Sequence, residues 1–182
     1  MFPYADHRNE YWTGYFTSRP NSKSQVRFAQ ANIHASNKFF TESALDEDAS
    51  DELLADLLQG KDSMMDSNGI NQHHDAVTGT ARDHVVKDYA RRISKAVSES
   101  NVPYANIMAE KAAEDAGIQA DSWAMCTATN TTYVDCPIKS SFEGQFIVAA
   151  QNPAAVTQSI LRLKLPNATY KTELFDEETK AW

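Results

Sequence analysis

Val85-Val86-Lys87-Asp88-Tyr89-Ala90-Arg91-Arg92-Ile93-Ser94-Lys95-Ala96-Val97 repeats its apolar residues with the period of an α-helix. Val85, Val86, Tyr89, Ile93, Ala96 and Val97 make one stripe, while Lys87, Arg91, Arg92 and Lys95, with Arg82 just ahead of them, take the wet face. Thr80 reads as the N-cap, and Asp83 as an acid suited to a helix start. Pro103 ends the helix on this reading, because a proline has no N–H to donate and its ring clashes with the preceding turn. A further short helix is expected over residues 104–116, stopped by Gly117.

Upstream, two more helices are expected. From Ser24, the positions Val26, Ala29, Ile33 and Phe40 share a face, with Pro20 where a helix start tolerates it. Leu53, Leu54, Leu57 and Leu58 mark a second helix ending near Gly60. The acids Glu42, Asp46, Glu47, Asp48, Asp51, Glu52 and Asp56 read as a solvated face, since a calcium loop wants acids at alternate positions around a central glycine. Asp66-Ser67-Asn68-Gly69-Ile70-Asn71 favours a turn.

The ends differ in texture. Residues 1–20 are aromatic and turn-rich, without a helical period. Residues 121–182 carry β-like runs at 146–148, 156–163 and 169–175, separated by Asn152-Pro153 and Pro166-Asn167. The expected class is mainly α: a three-helix bundle over 21–120, followed by a few strands of an incomplete C-terminal β-sandwich.

Composition narrows the function. Of 182 residues, 17 are Lys or Arg and 25 are Asp or Glu, for a net charge of −8, so no nucleic-acid partner is expected. The longest clean apolar run, Phe146-Ile147-Val148-Ala149-Ala150, is far short of the roughly 20 residues of a membrane span. Met1-Phe2-Pro3-Tyr4-Ala5-Asp6 has neither the basic nor the apolar part of a secretory leader. Cys126 and Cys136 are either one short disulfide or two unrelated thiols.

The residues most suited to chemistry are Gln72-His73-His74-Asp75-Ala76-Val77-Thr78-Gly79-Thr80. Two imidazoles beside a carboxylate suit a metal. Neighbouring side chains diverge from the backbone, so one histidine would ligate and the other would orient it. A polar helix-start contact is the bland rival. Nothing in the sequence places His7, His34 or His84 nearby.

That motif, with Ala90-Arg91-Arg92 after it, resembles the middle region of family 38 glycoside hydrolases, the zinc-dependent α-mannosidases of the lysosome and Golgi. Phe2-Pro3-Tyr4-Ala5-Asp6 and Tyr11-Trp12-Thr13-Gly14-Tyr15-Phe16-Thr17-Ser18-Arg19-Pro20 are similar to the segment leaving that family's catalytic barrel. Cys126, Asn130-Thr131-Thr132 and Cys136-Pro137 resemble a glycosylated disulfide loop of the lysosomal branch.

The resemblance implies roles residue by residue. His74 would bind Zn2+, Asp75 would bind sugar hydroxyls, Trp12 would line the mannose pocket, and Asp6 would stand near it. His73 would orient its neighbours. Cys126 and Cys136 would form the disulfide, and Asn130 and Asn167 would be glycosylation sites. Residues 1–20 would be the barrel edge, 21–120 the middle domain, and 121–182 the start of the β domain. The chain would then be an internal piece of a longer, secretory or lysosomal enzyme that acts on mannose-containing glycans by a retaining mechanism. Its nucleophile, acid/base and other zinc ligands would lie upstream, together with the leader, and the piece alone would be inactive. The rivals are a non-catalytic helical module that binds carbohydrate or protein, and a purely structural piece.

Overall fold

The computed structural model describes residues 4–46, 49–120, 122–128, 134–137, 144–150, 152, 160–176 and 179. It divides into two compact units, Met1–Val102 and Pro103–Trp182. The fold is mainly α, as the apolar periods predict.

In the first unit, helix α1 (Pro20–Ala44) starts with Pro20 in its first turn, where the missing N–H costs nothing. Its N-cap, Arg19, has a left-handed backbone (φ 49°). The buried residues Ala29, Ile33, Ser36, Phe39 and Ser43 step by three and four along one face. Phe39 rather than Phe40 is buried; Phe40 is half-buried, with the Lys61 ammonium 4.9 Å from its ring centre.

Helix α2 (Asp51–Ile70) is capped by Ser50, whose hydroxyl accepts from the Leu53 amide at 3.1 Å. Asp51 and Glu52 in the first turn meet the positive end of the helix dipole. The helix does not end near Gly60. It runs through Gly60 and Gly69 to Ile70, so residues 66–70, expected as a turn, are helical. Burial explains the difference: Gly60, Met64, Ser67 and Asn68 all lie on the covered face, and packing outweighs about 1 kcal/mol of glycine penalty.

Helix α3 (Asp83–Ala116) is one continuous element through Pro103, where the sequence suggested a break and a second helix. Pro103 is buried, as are Tyr104 and Ile107 just beyond it. Burial of that face offsets the single hydrogen bond the proline removes.

All three helices meet at Ala29, Ile33, Met64, Ile93 and Ala96, with Val26 and Val97 against them. The two alanines allow close approach, and Met64 fills the space between. Gln25 on α1 donates to the Ala90 carbonyl on α3 at 3.1 Å, and Ser63 on α2 donates to the Glu99 carboxylate at 3.2 Å.

In the second unit, β1 (Thr127–Ala128) pairs antiparallel with β2 (Val134–Asp135), and β2 pairs parallel with β3 (Leu163–Lys164). The strands expected at 146–148 and 169–175 are absent there. The first half of the run at 156–163 lies outside the described residues, and β3 takes up its end. Alternating side chains give a segment a face, but a strand also needs a ladder partner. No helix among the described residues is long and apolar enough to cross a membrane.

Candidate functional site

The loop from the end of α2 to the start of α3 carries the His-His-Asp motif. It is wound tightly by its own backbone: the amides of His73, Ala76 and Gly79 donate to the carbonyls of Ile70, His73 and Ala76 at 3.1, 2.9 and 2.9 Å. The Ala81 amide then reaches back to the Asp75 carbonyl at 2.8 Å and closes the turn. Ala76 and Ala81 are buried, which leaves Gln72, His73, His74, Asp75 and Thr80 exposed.

Neighbouring elements hold the loop. Ser18 donates from its hydroxyl to the Thr78 carbonyl. Arg19 donates to the Ala81 carbonyl at 2.5 Å. Lys23 returns to the Ser18 carbonyl at 2.6 Å. Gly79 turns at φ +81°, and a Cβ there would stand 2.6 Å from Ser18 Oγ. Only glycine combines that backbone with that approach.

His73 and His74 do not diverge. Their Nε2 atoms stand 3.3 and 3.5 Å from the same oxygen, Asp75 Oδ2, and their rings lie 4.3 Å apart. The winding of the loop overcomes the usual splay of adjacent side chains. Two imidazole nitrogens and a carboxylate oxygen thus lie within 4.8 Å of one another. His74 is 83% exposed and Asp75 52%.

Asp75 is fixed from its other side. Thr80 donates to Oδ1 at 2.9 Å. That bond above all, aided by the adjacent His74 and His73, holds the carboxyl below the usual carboxylate range, although desolvation opposes it. Thr80 is therefore not the N-cap of α3, which begins three residues later. Thr78 donates to the His74 carbonyl, and its oxygen lies 3.1 Å from that of Thr80. The pairing of Thr80 with Asp75 and the grip of Ser18 and Arg19 escape a reading of the motif alone. The Thr-Gly-Thr turn is the one local signal of them.

The donor chemistry fits zinc: neutral nitrogens with an anionic oxygen. Three donors standing in the open would need further ligands and cover to complete a four-coordinate shell.

Trp12 and Asp6 form a second group around Tyr4. The Trp12 amide donates to the Tyr4 carbonyl at 2.8 Å, and the two rings meet edge to face at 5.7 Å. Tyr4 donates from its phenol to Asp6 Oδ1 at 2.9 Å, and the neighbouring carboxylate raises the phenol's pKa. Trp12 is 53% exposed. No hydrogen bond, ion pair or ring contact among the described residues joins this group to His74 and Asp75.

Cys126 and Cys136 are bonded. The β1–β2 register pairs Thr127 with Asp135, which sets the two cysteines opposite one another just beyond the ladder. Asn130 lies outside the described residues, and Asn167 is exposed in a bend.

Comparison with known proteins gives these sites a context. Residues 10–110 match the alpha mannosidase middle domain family. The chain is 36% identical over 148 residues to an alpha-mannosidase of Arabidopsis thaliana, covering 75% of this chain and 13% of that protein. It is 31% identical over 182 residues to an alpha-mannosidase of Canavalia ensiformis, covering 92% and 17%. It is 32% identical over 153 residues to the lysosomal alpha-mannosidase of Homo sapiens, covering 84% and 14%. The chain thus spans less than a fifth of the length of these relatives. No solved structure matches it. With more than half its residues within that family's bounds, the chain belongs to the alpha-mannosidase middle-domain family.

Proposed function

We propose that the chain is the middle part of a zinc-dependent, retaining α-mannosidase that removes terminal α-mannose from N-glycans and oligomannosides. The observation that carries this reading is the exposed His74–Asp75 pair on a loop pinned at Thr78 and Ala81 by Ser18 and Arg19. His74 is the zinc ligand this chain contributes. Asp75 accepts hydrogen bonds from sugar hydroxyls, and Trp12 offers an apolar ring face to the C–H face of the sugar. Bound zinc supplies a Lewis acid for vicinal hydroxyls. The paired carboxylates of a retaining glycosidase belong to the catalytic barrel. The partners are therefore mannose-containing glycans and the rest of the enzyme. The Cys126–Cys136 disulfide and the exposed Asn167 sequon support an oxidising route, to the lysosome or along the secretory pathway.

Zinc titration tests the reading. Alone, the chain should bind zinc weakly and should not turn over an aryl α-mannoside. Joined to a catalytic barrel, it should bind tightly, and His74→Ala should abolish that gain. Tight binding that survives His74→Ala would refute the assignment, as would hydrolysis that survives both His74→Ala and Asp75→Ala.

A further inference from the structure

We propose that Thr80 is a positioning residue that aims Asp75: its hydroxyl holds Oδ1, so that Oδ2 is the oxygen presented beside His74. This rests on the reading of Asp75 as the acid that binds sugar hydroxyls.

Among the described residues, the Thr80 hydroxyl otherwise meets only that of Thr78, at 3.1 Å, and it does not cap α3. Helix α3 begins at Asp83, and the amides of Val85 and Val86 in its first turn donate to the Arg82 carbonyl at 3.0 Å each. The threonine is exposed, so its methyl is not core packing.

The backbone of Asp75 is already anchored. The Ala81 amide holds its carbonyl at 2.8 Å, and Arg19 holds the Ala81 carbonyl in turn. Two torsions, χ1 and χ2, remain, and the Thr80 bond to Oδ1 at 2.9 Å is shorter than the contacts of Oδ2 with His73 and His74 at 3.3 and 3.5 Å. Without it, a half-exposed aspartate would sample several staggered wells.

Proton counting shows why Thr78 cannot substitute. An ionised carboxylate only accepts, and each hydroxyl has one proton. Thr80 gives its proton to Asp75, and Thr78 gives its own to the His74 carbonyl. Each threonine therefore serves a different one of the two adjacent site residues. A pair of neighbouring sugar hydroxyls demands acceptors at fixed separation, so the aim of Oδ2 sets how well they are gripped.

Two measurements test this, on Thr80→Val and on Thr80→Ser as the conservative rescue. In the 182-residue chain, Hα–Hβ scalar couplings of Asp75 report its χ1 population. Wild type and Thr80→Ser should show one rotamer, and Thr80→Val should show averaging with the amide spectrum otherwise kept. In the enzyme carrying this segment with its barrel, Thr80→Val should raise KM for an aryl α-mannoside by about tenfold and leave kcat nearly unchanged, as loss of uniform binding does. Thr80→Ser should restore KM. A single Asp75 rotamer in Thr80→Val overturns the positioning role. A KM indifferent to Asp75→Ala instead overturns the sugar-binding reading beneath it.

Discussion

Ser18 donates its hydroxyl to the carbonyl of Thr78, sixty residues further along the chain. That bond ties the start of α1 to the loop that presents His74 and Asp75. It works only because residue 79 is a glycine, whose missing side chain admits Ser18 and whose φ of +81° an L-residue rarely adopts.

Gly79→Ala should therefore lower stability by about 1–3 kcal/mol. Gly69→Ala is the control. That glycine is inside α2, and nothing lies within 4 Å of an added Cβ, so alanine there should stabilise by roughly 0.5–1 kcal/mol. Urea unfolding of both variants decides the matter. Equal effects would mean that the loop is not seated against Ser18.

The core makes a second demand. Met64 is 1% exposed and sits among residues of all three helices. Met64→Ala should cost about 2–5 kcal/mol, whereas Met65→Ala, at a half-exposed neighbour, should change stability by no more than about 0.5 kcal/mol. Ser36 is the converse case, a buried hydroxyl without a hydrogen-bond partner among the described residues. Ser36→Ala should be neutral or stabilising by about 1 kcal/mol, since it removes a desolvated polar atom and improves helix propensity. Thermal unfolding of these three variants would expose a misassigned core by reversing their order.

Much of this was legible in the sequence, for definable reasons. The Val85–Val97 stripe and Pro20 at a helix start report local preferences, and the helices follow them. Gly69 and Pro103 misled because propensity counts local cost alone, while both lie in helices with buried faces. At the site, His74 and Asp75 were readable as residue types. Their convergence with His73 on one oxygen was not, because it comes from the winding of residues 71–81. Thr80 read as a cap because a threonine before a helix is the usual signal, yet its hydroxyl turns back to Asp75.

On α3, charge pairs predict a pH dependence. Arg92 donates to the Asp88 carboxylate at 2.7 Å and holds it below its usual range. A depressed folded pKa contributes stability fully above the unfolded value, about 3.9, and loses it as pH falls through the folded value. Lys87 is the mirror case. Asp83, 2.8 Å away, raises its pKa, so that contribution is complete below about 10.4 and fades as pH rises through the folded value. Both pairs are exposed, so the effects are small and salt-sensitive. Asp88→Asn should lower Tm slightly near neutral pH in low salt and match wild type once acid has taken the pH below the folded pKa of Asp88. A difference that persists at that pH would assign Asp88 a role other than its charge.

In the second unit, order around β2 should depend on the disulfide. Its strands are two residues long, too short to hold by backbone pairing alone. Cys126 and Cys136 lie ten residues apart, and closing a loop of that length removes denatured-state freedom worth about 3 kcal/mol. The Val134 amide donates to the Arg162 carbonyl at 2.8 Å and reports on β2–β3 pairing directly. Replacing both cysteines with serine should speed hydrogen exchange at that amide by about 100-fold, the exchange equivalent of that energy. The Leu57 amide within α2 serves as the internal reference. Unchanged exchange at Val134 would mean that the two-residue ladders are held by contacts other than the Cys126–Cys136 bond, and the register argument for that hairpin would fail.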